Sequence, residues 1–289
     1  MLSREAHVAL RVGGLRARQA RRCCAPEGGY LLADDPFVTK WLRDEQSAHH
    51  PKGFHTRRLS ELPDTRSAAE GHLARTCVRH LRRPGVLRRL GVAGFPHTAA
   101  ALADVPDDIR YRHGIFGEIL AAEYMIQVEG HVVPVYRLQY RTHPYHSMPG
   151  EDVIALESLD GRDRLRVAEA KTRQEYRGAM VTDACSQIRA TGAKPRPESL
   201  SFILDRLDEQ GKHELFDRVL GLVDPAGSGE PARSYLIFLV TGDRPLDPFA
   251  EVDDGATKTG PLTVVSLHLP DLAAFVKSVL ETEVNVDEI

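Results

Sequence analysis

The segment GEDVIALESLDGRDRLRVAEAKTR, residues 150–173, constrains the fold more than any other part of the chain. It contains two strand-like apolar runs separated by the dipeptide Asp160-Gly161. An Asp-Gly pair between strand-forming runs is a strong hairpin signal, because both central positions of the tight turn need positive φ. The segment therefore predicts two antiparallel strands.

The turn also decides which side chains meet across the hairpin. If the Asp-Gly pair forms a two-residue loop, Asp152 lies directly opposite Glu169. If the turn slides by one residue, Lys171 faces Asp152 instead. Because side chains alternate between the two faces of a strand, both registers place all three charges on one face. A three-residue loop would break this parity.

Charged residues are normally excluded from such apolar runs, so this face needs an explanation. Directly opposed side chains have Cβ atoms about 5 Å apart, and two carboxylates at that distance repel each other. A cation relieves the repulsion, and Mg²⁺ prefers oxygen ligands. A neighbouring lysine can orient a water molecule or offset charge on a phosphate. The alternative is a solvated face on which Glu169 forms a surface ion pair with Lys171.

A third acid lies on a predicted helix that runs from about residue 109 to residue 129. Its apolar stripe includes Ile115 and Ile119, and Glu118 lies at the edge of that stripe. A carboxylate facing a sheet needs a partner. Glu118 is therefore a third candidate ligand.

The rest of the second half predicts an α/β fold, a mixed sheet flanked by helices. Strands are predicted at HVVPVYRLQY, EDVIALES, RLRVAEAKT, SYLIFLVTG and LTVVSLHL. Helices are predicted at AMVTDACSQIRAT, HELFDRVLGLV and DLAAFVKSVLETE.

Charge divides the chain into two regions. Residues 1–100 contain 18 lysines and arginines against 9 acids, which leaves 20 against 32 for the remainder. We therefore expect an Arg-rich, mainly helical accessory region over residues 1–105 and a second domain over residues 106–289. Helices are predicted to start in DDPFVTKWLRDEQ and SAAEGHLARTCVRHLRR. The second carries arginines that either meet phosphate or lie on a solvated face, namely Arg75, Arg79, Arg82 and Arg83.

The arrangement of these charges resembles the PD-(D/E)xK nuclease superfamily. The resemblance rests on Glu118 in the first helix, Asp152 in the second strand and the triplet Glu169-Ala170-Lys171 in the third. There is no literal Pro-Asp pair, because two residues separate Pro149 from the acid. The resemblance implies an αβββαβ core and Mg²⁺-dependent DNA cleavage.

The same resemblance implies a role for each residue. Asp152, Glu169 and the backbone carbonyl of Ala170 would bind Mg²⁺, for which Mn²⁺ can substitute, and Glu118 would bind directly or through water. Lys171 would position the attacking water and stabilise the phosphate.

The helix after the third strand adds one further candidate by the same resemblance. Gln187 would assist with metal-bound water or phosphate, as a glutamine does in some branches. Those branches often have a tyrosine four residues later, where this chain has Thr191.

Three short motifs, FGEILAAEYM, GEDVIAL and VAEAKTR, are also similar to the nuclease subunit of the Hachiman anti-phage defence system. This likeness spans roughly residues 109–275 and implies DNA as substrate and an ATP-dependent helicase as partner, encoded nearby. The chain has no GxxxxGK[ST] loop, so we do not expect it to hydrolyse ATP itself.

Bulk features set the remaining expectations. The longest apolar run, YLIFLV, is strand-sized, and the four cysteines show no CxxC spacing. We therefore expect a cytoplasmic protein with no membrane association. A non-catalytic nucleic-acid-binding or assembly subunit that keeps a nuclease fold is the alternative to an endonuclease.

Overall fold

The computed structural model describes residues 36–94, 105, 107–141, 150–159, 161–191, 196–222 and 233–284. Within these ranges, six strands form one mixed sheet in the order β1-β2-β6-β5-β4-β3. The strands are β1 (Leu42–His50), β2 (Phe54–Glu61), β3 (Val153–Leu159), β4 (Arg162–Arg173), β5 (Arg233–Thr241) and β6 (Leu262–His268).

Helices flank the sheet on both faces. They are α1 (Phe37–Trp41), α2 (Arg66–Leu81), α3 (Pro84–Val92), α4 (Ile109–Gln127), α5 (Gly178–Thr191), α6 (Pro197–Glu209), α7 (His213–Leu220), α8 (Asp254–Thr259) and α9 (Leu272–Glu281), with a 3₁₀ helix at Arg137–Tyr140. No helix in these ranges is both long and apolar enough to cross a bilayer.

The hairpin of β3 and β4 has the first of the two predicted registers. Leu159 pairs with Arg162 and Val153 pairs with Ala168, so the loop has two residues. Asp160 lies outside the described residues, and Gly161 has a φ of 79°, the left-handed conformation that glycine adopts readily. Beyond the hairpin, β4 pairs in parallel with β5, and β5 pairs in parallel with β6.

Alternate residues of β4 face different helices. Ala168 packs in the core with α4, whereas Val167 packs with α5. Because side chains alternate along a strand, Glu169 and Lys171 point to the α5 face. The buried central strand β5 separates the two apolar layers.

Helix α4 begins after a capping aspartate, close to the predicted start at residue 109. The side chain of Asp108 accepts hydrogen bonds from the backbone N–H groups of Arg110 and Tyr111, at 2.8 and 3.2 Å. The helices predicted at AMVTDACSQIRAT, HELFDRVLGLV and DLAAFVKSVLETE are confirmed as α5, α7 and α9, and the strands predicted at SYLIFLVTG and LTVVSLHL as β5 and β6.

The strand predicted at HVVPVYRLQY is wrong. Only Val132 pairs there, through an isolated bridge to Leu156, and a 3₁₀ helix follows at Arg137–Tyr140. Pro134 has no N–H to donate to a ladder, which explains why the pairing does not extend. Between α4 and α5 the chain therefore has two strands and an isolated bridge, where the predicted αβββαβ order has three strands.

The Arg-rich region contains two strands besides its helices where the structure describes it. Helix α1 has five residues, and β1 follows it at once. Strand β2 pairs in parallel with β6, so the sheet includes residues on both sides of the predicted division at 105/106. Strand β1 is largely exposed and polar, so its sequence does not predict a strand. It forms because β2 offers it a pairing edge.

Candidate active site

The predicted acids meet where β3 begins and β4 continues beyond it. Asp152 immediately precedes β3, and its Oδ2 accepts a hydrogen bond of 2.8 Å from the backbone N–H of Ala170. In an extended strand, the N–H and C=O of one residue point toward the same neighbour. The carbonyl of Ala170 therefore points toward the β3 side as well.

Glu169 and Lys171 lie on the predicted common face of β4. The Glu169 residue is 7 % exposed, and Lys171 Nζ lies 3.6 Å from Glu169 Oε2. This is not the fully solvated ion pair of the alternative interpretation, because the carboxylate is buried.

Glu118 reaches this site because the residue before it is glycine. The backbone of α4 approaches β4 so closely at Gly117 that an added Cβ would overlap the hydroxyl of Thr172 and contact Ala170 at 3.7 Å. A larger residue at position 117 would hold the helix away from the strand. Close packing here brings the half-buried Glu118 to the acids of the hairpin.

Burial and neighbouring negative charges raise the pKa of all three carboxyl groups. Burial raises the pKa of Glu169 to about 8, and the Asp152 carboxylate adds to the effect. Burial also raises the pKa of Asp152, and the backbone N–H of Ala170 opposes that shift. The pKa of Glu118 lies well above its ordinary value, through burial first and the charge of Asp152 second. Such clustered, mutually repelling acids are typical of functional sites.

Two arginines offset part of this negative charge. Arg137 and Arg141, in and just after the 3₁₀ helix, both favour the charged form of Glu118 and so lower its pKa. Arg137 also lowers the pKa of Asp152. Sequence reasoning missed them, because the segment was assigned to a strand that does not form.

Glu151 was also missed, although it is the most buried acid near the site at 1 % exposure. Its carboxylate accepts a hydrogen bond from the hydroxyl of Ser199 in α6 and one of 3.4 Å from the backbone N–H of Arg196. Its charge raises the pKa of both Asp152 and Glu169. The position next to Asp152 was the only signal available, since Ser199 is 48 residues away in sequence.

Gln187 does not join the cluster. Its side chain is exposed, and its Oε1 accepts a 3.4 Å hydrogen bond from Arg196. Helix α5 instead directs Val181, Ala184 and Ile188 into the sheet. Gln187 thus lies on the predicted helix, but its side chain faces solvent.

A family comparison covers most of this architecture. The model of the HamA family matches residues 35–282, which include all six described strands and every acid of the site. The chain belongs to the HamA family. The match confirms the resemblance of three short motifs to the Hachiman subunit.

A curated relative agrees. The chain is 30 % identical over 187 residues to the Hachiman protein HamA of Bacillus cereus. The alignment covers 65 % of this chain and 66 % of that relative, just under two thirds of its length. HamA similarity thus extends across the sheet and into the Arg-rich part from residue 35 onward.

The donor chemistry of this HamA-family site fits a hard divalent cation. Carboxylates from Glu118, Asp152 and Glu169 and the carbonyl of Ala170 are all oxygen ligands, the type that Mg²⁺ prefers. Within the described ranges, no three acids, histidines or cysteines are already gathered as a metal-binding set. Glu169 Oε2 lies near Lys171 and Asp152 Oδ2 accepts from a backbone N–H, which leaves the second oxygen of each carboxylate for a cation.

Proposed function

We propose that this chain is a Mg²⁺-dependent DNA endonuclease of the PD-(D/E)xK type and the effector of a Hachiman anti-phage defence system in the cytoplasm. The observation that carries the proposal is the junction of β3 and β4, where burial and the charge of Asp152 raise the pKa of Glu118 and Glu169 beside Lys171. Membership of the HamA family supports the defence role.

Each residue has a role in this proposal. Asp152, Glu169 and the Ala170 carbonyl hold Mg²⁺, or Mn²⁺ in its place, and Glu118 completes the set directly or through water. A bound divalent ion lowers the pKa of water and neutralises charge on a phosphate. Lys171 orients the attacking water and stabilises the negative charge that develops on the phosphate.

The acid cluster explains why a cation belongs there. Burial, and after it the charge of Asp152, raises the pKa of Glu169, so deprotonation of this acid costs free energy. The two positive charges of a divalent ion would lower that cost. The ion and Lys171 would together stabilise the charged form of these acids.

We also propose control by an ATP-dependent helicase encoded nearby. An unrestrained endonuclease would damage the DNA of its own host, and the sequence contains no nucleotide-binding loop. The test is co-expression with the neighbouring gene product, followed by a pull-down and cleavage assays with and without ATP. A freely active lone chain with no co-purifying partner would contradict this control.

Cleavage of plasmid DNA tests the nuclease proposal. With its partner and ATP present, wild type should cut with Mg²⁺ and not in EDTA, whereas Glu169→Ala and Lys171→Ala should lose cleavage and keep DNA binding, because both act on the transition state. Gln187→Ala is the matched control and should cut like wild type. Undiminished cutting by the first two variants would remove the site assignment.

One observation favours the alternative, a non-catalytic nucleic-acid-binding or assembly subunit. The described acids do not already form a metal-ligand set. A pure binding subunit would shift DNA equally well in EDTA and Mg²⁺ and would never nick it. Metal-dependent nicking that Glu169→Ala abolishes excludes this alternative.

A further inference from the structure

The C-terminal end of α2 packs against the 3₁₀ helix. Gln139 Nε2 donates a 2.6 Å hydrogen bond to the backbone carbonyl of Arg79. Just beyond the end of α2, the guanidinium of Arg83 lies 4.3 Å from the ring centroid of Tyr140. These contacts fix the arginines at the end of α2 beside the 3₁₀ helix.

The 3₁₀ helix leads directly to the acid cluster. Arg141 follows Tyr140, and its Nη1 donates a 2.5 Å hydrogen bond to the hydroxyl of Tyr111 in α4. The charge of Arg141 acts on the carboxyl of Glu118, one of the proposed ligands. Contacts therefore lead from α2 along the 3₁₀ helix to Arg141, whose charge reaches the candidate active site.

The arginines along this path form what we call the basic strip. Its members are Arg79, Arg82, Arg83 and Arg141. Arg83 is exposed and the other three are partly exposed.

Acids are few in the segment that holds the α2 part of the strip. From residue 66 to residue 94 the sequence holds a single acid, Glu70, which lies in the first part of α2 and contacts Ser278. The nearby Glu123 is buried, and its carboxylate is held by His80 at 2.7 Å. The strip is thus a positive track in a chain whose residues 101–289 are strongly acidic.

We propose that the basic strip binds the phosphate backbone of DNA and guides it to the acid cluster, an inference that rests on the proposed nuclease function. Arginine presents a planar fork of donors that matches a phosphate group, and a tyrosine ring beside it limits its rotamers. DNA is favoured over a protein partner because the strip ends at the site where the scissile phosphate must lie.

The test is the salt dependence of DNA binding, measured in EDTA so that no cleavage occurs. A labelled duplex is titrated with wild type, Arg82→Gln/Arg83→Gln and the single variant Arg83→Gln. Each lost phosphate contact should lower the steepness of log Kobs against log salt by about 0.9, so the double variant should lose up to about 2 and bind more weakly. Arg83→Lys keeps the charge and should recover most of the slope.

The matched control removes two arginines from the far edge of the sheet. Arg43 and Arg244 are exposed and both pair with Glu45, so Arg43→Gln/Arg244→Gln changes the net charge equally. It should leave the slope unchanged. Thermal unfolding checks the fold of every variant. If the double variant is unstable, the slope of Arg83→Gln is compared with that of wild type instead.

The outcomes separate this inference from the function on which it rests. Wild type could bind DNA while the strip variants keep its slope of log Kobs against log salt, or lose no more of it than the control does. That result would overturn DNA binding by the strip and leave the nuclease site standing. If the variants lose the helicase and keep the slope, the strip is a protein-docking surface and the inference is overturned. If wild type neither binds nor cuts DNA with its partner and ATP present, both proposals fail.

Discussion

At the scale of single residues, the site depends on neighbours that carry no chemistry. Gly150 has a φ of 117°, and an added Cβ there would overlap Ser199 and come within 3.0 Å of the Arg137 guanidinium. Glu151 is anchored to the same serine. The close packing at Gly150 and the hydrogen bond of Glu151 therefore hold the segment that ends in Asp152 in place without a bound metal ion.

Replacing that serine should loosen the proposed metal ligand. In Ser199→Ala the buried Glu151 carboxylate loses its hydroxyl donor, which costs about 1 to 3 kcal/mol of unfolding free energy. Mg²⁺ affinity should also fall, because the support of a ligand typically contributes about 10- to 100-fold in metal affinity. Ser201→Ala, at an exposed position of the same helix, is the control. Equal stability and metal affinity in the two variants would contradict the anchoring role.

The raised pKa of Glu169 predicts how stability changes with pH when no divalent ion is present. Between about pH 4.5 and about pH 8 the folded chain holds a proton that the unfolded chain releases, so stability should fall as pH rises through this window. Glu169→Gln should flatten the decline. The measurement is the melting temperature in EDTA from about pH 5 to about pH 9. A wild-type profile no steeper than that of Glu169→Gln would contradict the assigned burial.

At the scale of elements, the contact between α4 and β4 sets the geometry of the site. Gly117→Ala would drive a methyl group into Thr172, and overpacking of this kind costs about 1 to 3 kcal/mol. The displaced helix should also weaken Mg²⁺ binding through Glu118. Gly114→Ala, three residues earlier, meets no atom within 4 Å and should be neutral or stabilising. Chemical denaturation and metal titration of both variants check this, and equal behaviour would mean that α4 tolerates displacement.

Sequence reasoning succeeded where local chemistry decides the structure. The turn at Gly161 determined the register of β3 and β4, and with it the common face of Glu169 and Lys171. It failed at β1 because that strand is polar and forms only by pairing with β2. It failed at Glu151 because a hydrogen bond to Ser199 in a distant helix cannot be read from spacing.

At the scale of the whole molecule, the described chain is built on one sheet rather than on a helical region beside a nuclease domain. Strand β2 pairs with β6, and the HamA match begins at residue 35. The sequence does divide into a basic and an acidic region, but residues of both regions belong to the same sheet. We interpret the charge division as a division of surface, with a basic strip near the site and acidic surroundings elsewhere.

The central claim is that the acids at the β3–β4 junction form a divalent-metal site that serves DNA cleavage. Its most direct test is Mn²⁺ binding to the metal-free chain, followed by electron paramagnetic resonance with Mg²⁺ as competitor. Wild type and Gln187→Ala should bind Mn²⁺ alike, and Mg²⁺ should displace it. Asp152→Asn and Glu169→Gln should each lose at least about tenfold in affinity. Undiminished Mn²⁺ binding by these two variants, or none by wild type, would contradict the account.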